Sequence, residues 1–455
     1  MTKRRAPKSV SLLILGAGGD LTKRLLLPGL ASLLSSHDYD VQVIGAAREE
    51  RTDAEWRQLI RDSFALVTDP KNADRYLESA RYITGDVTDA EQLRSLIAAC
   101  DHTPIIYFAL PPAVTTKVCA SLRSLDLPDG TRLALEKPFG TDLKSARALN
   151  RQIAQLVPEE QVFRIDHFLG MSMVLNILGL RFANQFLEPV WNSRRIERVE
   201  IVYDELLGLE GRGGYYDHAG ALVDMLQSHL LEVLALVAME RPPRLNEVEL
   251  RSNASQVLRA THVWDDDPAT SSRRARYTAG KVGERSMPSY TDEPGVDPAL
   301  ETETFAQVTL EVDTARWHGV PFVLRSGKAL GKYVTRVRVH MRPVPAIPGF
   351  GGAPAPDCIT LDLKSGSVEL DLTMNGSGDA FTLERSTLVA KKELGDLLPY
   401  GQVLQGIVEG DPLLSVRADM AEESWRIFEP VLRAWRNGEV PLEEYTAGSL
   451  GPKGR

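Results

Sequence analysis

Residues 10–21 read Val-Ser-Leu-Leu-Ile-Leu-Gly-Ala-Gly-Gly-Asp-Leu, and this stretch decides the fold of the first part of the chain. Its first six residues are almost all apolar, which is typical of a buried β-strand. The glycines favour a tight turn, and the residues after them favour the start of a helix. A strand, a glycine-rich turn and a helix start together present free backbone N–H groups to a pyrophosphate. The candidate dinucleotide contacts are Gly16, Gly18, Gly19, Asp20 and Leu21.

The residues after this turn strengthen the interpretation. On its own the turn is a weak signal, because its spacing is not the usual G-x-G-x-x-G and turns need glycine in any case. Leucines recur at helical spacing from Leu21 to Leu33, and a second apolar strand at residues 41–45 follows at the distance that a β-α-β unit requires. The sequence therefore predicts a doubly wound Rossmann domain at the start of the chain.

The end of the second strand is where such domains read the adenosine ribose, and Arg48 lies there. An arginine binds a 2′-phosphate through two parallel hydrogen bonds, so NADP is the expected cofactor. Glu49 and Glu50 follow directly, and a carboxylate here accepts a hydrogen bond from a free 2′-hydroxyl, which keeps NAD possible. The alternative for Arg48 is a solvated loop charge.

Two kinds of strand pattern divide the chain. Apolar runs at residues 104–110 and 131–136 predict further strands of a parallel sheet that is buried on both faces. Beyond residue 195 the pattern changes, and Val337, Val339 and Met341 alternate with Arg and His. An alternation with period two predicts an antiparallel sheet with one polar face.

These patterns give the expected fold class, α/β plus α+β. We expect a Rossmann domain over residues 1–165 and a second domain over residues 166–455, built on a large, mainly antiparallel sheet with helices. Within the second domain the periodicity predicts helices at residues 219–238 and 411–437. The stretch 271–297 is rich in Arg, Ser, Gly and Pro, which predicts a long surface excursion.

Composition restricts the class of protein. A chain of 455 residues exceeds one ordinary core, which agrees with two domains. The net charge of −9 argues against a nucleic-acid partner, and no apolar run is long enough to predict a membrane span. The three cysteines, Cys100, Cys119 and Cys358, are odd in number and lack metal-ligand spacing. We therefore expect a reducing, cytoplasmic environment, no disulfides and no metal site.

Two short segments carry the acid–base candidates. Residues 164–170 contain Asp166 and His167, and residues 227–230 contain His229. An imidazole with an ordinary pKa of about 6.5 removes a hydroxyl proton at neutral pH if a carboxylate fixes its tautomer. His229 and Asp166 are the candidate base and its partner. On these residues alone, an alternative stays open, in which they are satisfied polar groups of the core.

Five blocks of sequence, taken in order, resemble the glucose-6-phosphate dehydrogenase family over nearly the whole chain. The blocks are residues 16–24 (GAGGDLTKR), 136–140 (EKPFG), 164–170 (RIDHFLG), 211–217 (GRGGYYD, running on to Asp224 and His229) and 320–330 (VPFVLRSGKAL). Residues 417–425 and 445–452 are also similar to the closing segments of the family.

The resemblance implies oxidation of glucose 6-phosphate at C1 to 6-phosphogluconolactone, the first step of the oxidative pentose phosphate pathway. It implies that Asp166 pairs with the base His229, and that Lys137 and Pro138 contact the nicotinamide end of the cofactor. Pro138 is a candidate for a cis peptide bond. The residues implied to bind the sugar phosphate are His167, Lys137, Glu205, Asp224, Lys328 and Lys332. A second subunit that covers part of the antiparallel sheet is implied too, as a homodimer or a dimer of dimers.

Several positions depart from the family pattern, and most concern the phosphate. The family has a lysine where this chain has Met171 and usually a tyrosine where it has Phe168, so two phosphate donors are lost. The other departures are Tyr333 in place of a basic residue beside Lys332, Leu25 in place of a third basic residue, and Val223 and Ser228 near His229.

Three readings follow. The leading one is a glucose-6-phosphate dehydrogenase with a modified phosphate pocket. The second is the same chemistry on another aldose, either unphosphorylated or with a different group at C6. The third is a non-catalytic member of the family that serves as a binding or regulatory subunit. The presence of His229, Asp166 and Lys137 argues against the third, because a protein without catalysis has no physical need for these charges together.

Overall fold

The structure is a computed structural model that describes residues 8–352 and 354–454. Its helices are Leu27–Ser36, Asp53–Ala65, Asp74–Leu77, Ala90–Ala98, Pro112–Leu122, Leu143–Ile153, Ser172–Phe182, Gly213–Tyr216, Leu231–Ala238, Glu247–Ala260, Pro268–Ser271, Pro399–Glu409 and Ala418–Arg436. Two segments of wider turns with i→i+5 hydrogen bonds, Thr22–Leu26 and Leu222–Leu230, lead directly into the helices that follow them. Among the described residues, no helix combines the length and the apolar character that crossing a membrane requires.

The chain forms two compact units, and each contains more than one segment. The first unit consists of the residues up to 172 together with 242–252 and 395–422, and the second unit holds the remaining residues. A single boundary after residue 165 therefore does not describe how the chain packs. The division into functional domains at 1–165 and 166–455 stays a prediction.

The first unit is built on a seven-stranded sheet. Its strands, numbered along the whole chain, are Ser9–Leu15 (β1), Asp40–Ala47 (β2), Arg81–Thr84 (β3), Thr103–Phe108 (β4), Arg132–Glu136 (β5), Val162–Ile165 (β6) and Ser415–Val416 (β18). The first six are parallel in the order β3-β2-β1-β4-β5-β6, and β18 adds to β6 antiparallel. This order is that of a doubly wound dinucleotide-binding domain, so the fold predicted for the start of the chain is confirmed.

The alternation of side chains along β1 explains why the sheet is buried on both faces. Leu12 and Ile14 belong to one apolar cluster and Leu13 and Leu15 to another, because successive residues of a strand point to opposite sides. The continuous apolar run of the sequence is therefore the signature of a central strand with helices on both faces.

The segment 395–422 returns to the first unit because of close helix packing. Helix Pro399–Glu409 brings Tyr400 and its apolar neighbours into the same cluster as β1. Gly29 and Gly401 allow the approach, since a Cβ on Gly29 would lie 2.4 Å from the Cβ of Tyr400. The prediction of a continuous helix over residues 411–437 is wrong at its start, because residues 415 and 416 pair with β6 instead.

The second unit is built on a ten-stranded sheet. Its strands are Ile196–Asp204 (β7), Thr261–Val263 (β8), Ser272–Thr278 (β9), Phe305–Val312 (β12), Phe322–Gly327 (β13), Val334–Met341 (β14), Cys358–Asp362 (β15), Ser367–Asn375 (β16), Leu383–Lys391 (β17) and Leu442–Thr446 (β19), and a separate hairpin joins Gly280–Val282 (β10) to Arg285–Met287 (β11). Among the described strands of this sheet, the pairs β7·β13 and β9·β19 are parallel and the others are antiparallel. The prediction of a large, mainly antiparallel sheet is thus confirmed, and the alternation in β14 does bury Val337 and Val339.

The predicted surface excursion at residues 271–297 is wrong for its first part. Strand β9 lies inside the sheet, between β12 and β19. Its arginines are compatible with that position because they have partners: Arg273 forms a two-pronged ion pair with Glu443 at 2.6 Å, and buried Arg274 donates to the Val440 carbonyl at 3.0 Å. Composition alone reads such arginines as solvent-exposed, whereas cross-strand pairing makes them strand residues.

Candidate active site

In the first unit, the glycine-rich turn connects β1 to the first helix under tight steric limits. Gly16 has φ +87°, and its N–H donates to the Ala46 carbonyl at 2.8 Å. A Cβ at Gly16 would lie only 2.2 Å from the Ala109 carbonyl oxygen. Gly19 donates back to the Gly16 carbonyl at 3.0 Å. Such a turn brings bare backbone to the carboxyl edge of the sheet, which suits the close approach of a pyrophosphate.

Arg48 lies just beyond β2 and is exposed. Its guanidinium donates to Asp86 at 3.1 Å, at the end of the neighbouring β3. Hydrogen bonds from the Thr88 hydroxyl and backbone hold the pKa of Asp86 below its usual value. Arg48 is therefore at the expected position, but it already has an anionic partner there.

The end of β5 carries Lys137, directly after a buried carboxyl group. Glu136 accepts hydrogen bonds from the Tyr107 hydroxyl and, at 3.5 Å, from the Tyr400 hydroxyl. Burial raises the pKa of Glu136 to about 7. The peptide bond between Lys137 and Pro138 is cis, as the sequence suggested.

The end of β6 carries Asp166 and His167. Asp166 is 1% exposed, and its Oδ1 accepts a hydrogen bond from the Phe168 N–H at 2.9 Å, which caps the short 3₁₀ helix His167–Gly170. The His167 ring stacks on Tyr400, with 5.5 Å between ring centroids and 18° between planes. Both side chains therefore have defined orientations within the first unit.

In the second unit, Glu205 and Lys328 form a buried ion pair. Glu205 follows β7 and Lys328 follows β13, and because these two strands are parallel neighbours, their ends meet. Lys328 Nζ lies 2.6 Å from Glu205 Oε2 and 5.1 Å from the centre of the Tyr216 ring. The lysine is 4% exposed. Two residues that the sequence places 123 positions apart are thus brought together.

Asp224 and His229 lie on the wide-turned segment Leu222–Leu230. In an α-helix, residues five apart point about 140° away from each other, given 100° per residue. Hydrogen bonding from i to i+5 makes each turn larger, so residues five apart come closer to one face. His229 is 2% exposed and Asp224 is half-buried. The sequence predicts an ordinary helix here and gives no sign of the wider turns.

Tyr203, at the end of β7, is influenced by the charges of both Glu205 and Asp224 in the second unit. Burial and the hydrogen bond from the Tyr333 hydroxyl, at 3.4 Å, raise the pKa of Tyr203. The charges of Glu205 and Asp224 raise it further. The protonated phenol of Tyr203 therefore lies near Glu205 and Asp224, the two carboxylates predicted to bind the sugar. Its hydrogen-bond donor, Tyr333, is one of the positions that depart from the family pattern.

Lys332 does not lie with the other residues predicted to bind the sugar. It lines a cavity of about 560 Å³ together with Arg198, Glu200, Asp204, Arg325 and Arg336. These residues lie on the face of the sheet opposite to Tyr203, because neighbours along a strand alternate between faces. The expectation that Lys332 contacts the sugar gains no support from this position.

Each unit thus gathers its own part of the predicted set. The first unit brings the glycine turn, Arg48, Lys137, Asp166 and His167 to the carboxyl ends of parallel strands, where doubly wound domains bind their ligands. The second unit brings Glu205, Lys328 and Asp224 near Tyr203 and Tyr216. It places His229 on the same segment as Asp224. Asp166 and His229 belong to different units, so their pairing stays a prediction. Sequence reasoning missed Tyr107, Tyr203 and Tyr400, since a lone tyrosine carries no motif.

Comparison with known proteins gives one consistent result. The family model for the glucose-6-phosphate dehydrogenase NAD binding domain matches residues 13–176, and that for the C-terminal domain matches residues 178–455. Curated glucose-6-phosphate 1-dehydrogenases are similar over the whole chain: that of Gluconobacter oxydans (strain 621H) is 39% identical, with 97% of this chain and 94% of that protein covered, and that of Mycolicibacterium smegmatis is 35% identical, with 98% and 96% covered.

Solved structures agree. A glucose-6-phosphate dehydrogenase in complex with its substrate glucose 6-phosphate is similar with a TM-score of 0.87 and 28% identity, covering 98% of this chain and 96% of that one. The crystal structure of glucose-6-phosphate 1-dehydrogenase from Mycobacterium avium gives 0.85 and 33%, covering 98% and 95%.

Proposed function

Since the chain belongs to the glucose-6-phosphate dehydrogenase family, we propose that it oxidises glucose 6-phosphate at C1 to 6-phosphogluconolactone, with NADP as the hydride acceptor. The observation that carries this proposal is the match of both family domains, in order, from residue 13 to residue 455. The proposed place of the reaction is the first step of the oxidative pentose phosphate pathway in the cytoplasm. Free thiols at Cys100, Cys119 and Cys358 support a reducing compartment.

The chemistry requires removal of a proton from O1 while hydride leaves C1. We assign the removal of this proton to the imidazole of His229. Asp166 holds that imidazole in the right tautomer and then stabilises the positive charge that it acquires. Asp166 suits this role because the Phe168 N–H fixes one of its oxygens before any substrate arrives. The bound dinucleotide supplies the hydride acceptor at C4 of its nicotinamide ring.

The remaining side chains orient the sugar. Glu205 and Asp224 accept hydrogen bonds from ring hydroxyls, and Lys328, held by Glu205 at 2.6 Å, donates to the sugar. His167 binds the 6-phosphate with its ring plane set by the Tyr400 stack. Lys137 bridges the sugar and the nicotinamide end. Side chains whose orientation is already fixed need little rearrangement on binding, which favours catalysis.

The cofactor assignment rests on two parts of the first unit. The glycine turn suits a pyrophosphate because it offers bare backbone between β1 and the first helix. Gly16 is required to form this turn, since a side chain there would collide with the Ala109 carbonyl. Arg48, beyond β2, is the proposed ligand of the 2′-phosphate. A non-catalytic role is disfavoured, because a binding subunit without catalysis has no physical need to keep His229, Asp166 and Lys137 together.

The proposed substrate is tested by steady-state kinetics with phosphorylated and free aldoses and both cofactors, followed through the absorbance of reduced nicotinamide. We expect kcat/KM for glucose 6-phosphate to exceed that for free glucose by about a hundredfold or more, because each charge-assisted hydrogen bond to the phosphate contributes about 1.5–3 kcal/mol. A different aldose with a higher kcat/KM would show that the second reading is correct.

A variant at Met171 tests directly whether this position faces the phosphate of the substrate. It follows the short helix that carries His167 and is half-buried, and its thioether supplies no donor to a dianion. Met171→Lys should lower the KM for glucose 6-phosphate about tenfold, equivalent to about 1.4 kcal/mol, with little change for free glucose. If both sugars respond equally, this position does not face the phosphate.

We further propose that the chain assembles as a homodimer or a dimer of dimers. Strand β17 lies at one edge of the second sheet, and it exposes Leu388 and Val389 by more than half. Exposed apolar side chains on an edge strand favour pairing with another chain. Light scattering at micromolar concentration should therefore give at least twice the chain mass of 50.2 kDa. A monomer under these conditions would contradict the assembly.

A further inference from the structure

Glu303 is a buried residue that holds the start of the wide-turned segment Leu222–Leu230. It is 7% exposed, and its Oε1 accepts a hydrogen bond from the Leu222 N–H at 2.9 Å. The backbone carbonyl of Glu303 accepts a second hydrogen bond, from the Ala221 N–H at 3.1 Å. The first N–H groups of a helical segment have no partner within it, so they need acceptors from outside. Glu303 supplies two of these acceptors.

Gly220 leaves the space that the Glu303 carboxylate needs. A Cβ at Gly220 would lie 2.3 Å from Glu303 Oε1 and 2.7 Å from Oε2. Burial raises the pKa of Glu303 to about 7, although hydrogen bonds from backbone N–H groups and the charge of Arg274 lower it. A side chain without charge would avoid the cost of burying a carboxylate. This indicates that Glu303 does more than fill space.

The residue after Glu303 holds a second part of the candidate site. Thr304 is 0% exposed, and its carbonyl accepts a hydrogen bond from the Lys328 N–H at 2.9 Å. The side chain of Lys328 forms the ion pair with Glu205. Two consecutive residues, Glu303 and Thr304, therefore connect the start of the segment Leu222–Leu230 to the backbone of this ion pair.

The two ends of the segment are held in different ways. Asp224 is its third residue, so the position of Asp224 depends on the start that Glu303 fixes. The other end continues directly into helix Leu231–Ala238, whose eight residues are all buried. His229 lies near that end and is held by the packing of the helix. Loss of the Glu303 contact should therefore displace Asp224 more than His229.

We propose that Glu303 is a positioning residue that sets Asp224 beside the Glu205–Lys328 ion pair, so that these three side chains bind the sugar hydroxyls together. The inference rests on the proposed dehydrogenase function and adds a residue that prepares its sugar site. Glu303 acts through the Leu222 N–H and not by contact with the sugar.

The test compares the variants Glu303→Ala, Glu303→Gln and Glu311→Ala. Alanine removes the acceptor of the Leu222 N–H, whereas glutamine keeps an acceptor oxygen of the same reach. Glu311 is the matched control, because it lies on β12, the strand that Glu303 precedes, and its Oε1 also accepts a backbone N–H, from Gly319 at 3.0 Å.

Steady-state kinetics should separate binding of the sugar from turnover. In Glu303→Ala we expect the KM for glucose 6-phosphate to rise about tenfold, as for the loss of a hydrogen bond to a charged group, while kcat falls less than about threefold. Glu303→Gln should restore the KM to within about threefold of the wild type, and Glu311→Ala should change it less than about twofold. Equal losses in the two alanine variants, or a fall in kcat that matches a loss of folded protein, would overturn the role of Glu303.

Hydrogen exchange tests the same contact without any turnover. In the sugar-free protein, the peptide covering residues 220–230 should exchange about tenfold faster in Glu303→Ala than in the wild type, and at an unchanged rate in Glu311→Ala. Unchanged exchange in Glu303→Ala would show that Glu303 does not fix the segment. A failure of the proposed function would differ, because the wild type itself would then neither bind nor oxidise glucose 6-phosphate.

Discussion

Replacing His229 by Asn lowers kcat by at least about a hundredfold, the smallest contribution expected of a general base. Asn is close in size and still forms hydrogen bonds, but it accepts no proton at neutral pH. Binding of NADP should stay close to that of the wild type, because the glycine turn and Arg48 lie in the first unit, whereas His229 lies in the second. Rates are measured by steady-state kinetics and NADP affinity by titration.

Two controls keep this result interpretable. His262→Asn removes a part-exposed histidine of the same unit, whose partner is Asp266 at 3.2 Å, and should leave kcat unchanged. Because His229 is buried, thermal unfolding of each variant is followed to exclude loss of the fold. A folded His229→Asn protein with nearly normal turnover would remove this residue from the role of base.

Substituting Gly16 by Ala should lower the free energy of unfolding by about 2–5 kcal/mol. About 1–2 kcal/mol comes from placing a side chain at φ +87° and about 1–3 kcal/mol from the collision with the Ala109 carbonyl. The loss is a large part of the stability of an ordinary domain. The loss of stability is measured as a lower midpoint of denaturant unfolding. The affinity for NADP, measured by titration, should fall as well.

Gly179 provides the matched control for that substitution. It lies in helix Ser172–Phe182, and its nearest contact for a new Cβ is 3.6 Å, an ordinary distance. Alanine there should be neutral or slightly stabilising, because helices favour alanine over glycine. Equal losses for Gly16→Ala and Gly179→Ala would mean that the turn adapts and that the steric argument is wrong.

Local patterns made the start of the fold predictable. The apolar run at residues 10–15 and the glycines after it define β1 and the turn without reference to distant residues. Val337 and Val339 likewise report a buried face through their spacing alone. These features depend on the periodicity of one strand, which a sequence displays directly.

Contacts between residues far apart in the chain could not be predicted from the sequence. Nothing near Tyr400 indicates that it stacks on a histidine 233 positions earlier, since the contact depends on how two distant helices meet at Gly29 and Gly401. The composition around Arg273 predicts a solvent-exposed loop, and only the pairing with Glu443 identifies it as a strand residue. Candidate site residues were found where they form a family block, whereas Tyr107, Tyr203 and Tyr400 act through neighbours that a linear pattern does not reveal.

The return of residues 395–422 to the first unit has a consequence for synthesis. A ribosome that has released the first 172 residues has produced all six parallel strands, but not the helix that covers Gly29. At about 5–20 residues per second, about 10–45 s pass before that helix emerges. The nascent dinucleotide unit therefore waits, with an apolar face uncovered, while most of the second unit is translated, and its completion is one of the last events in the making of the chain.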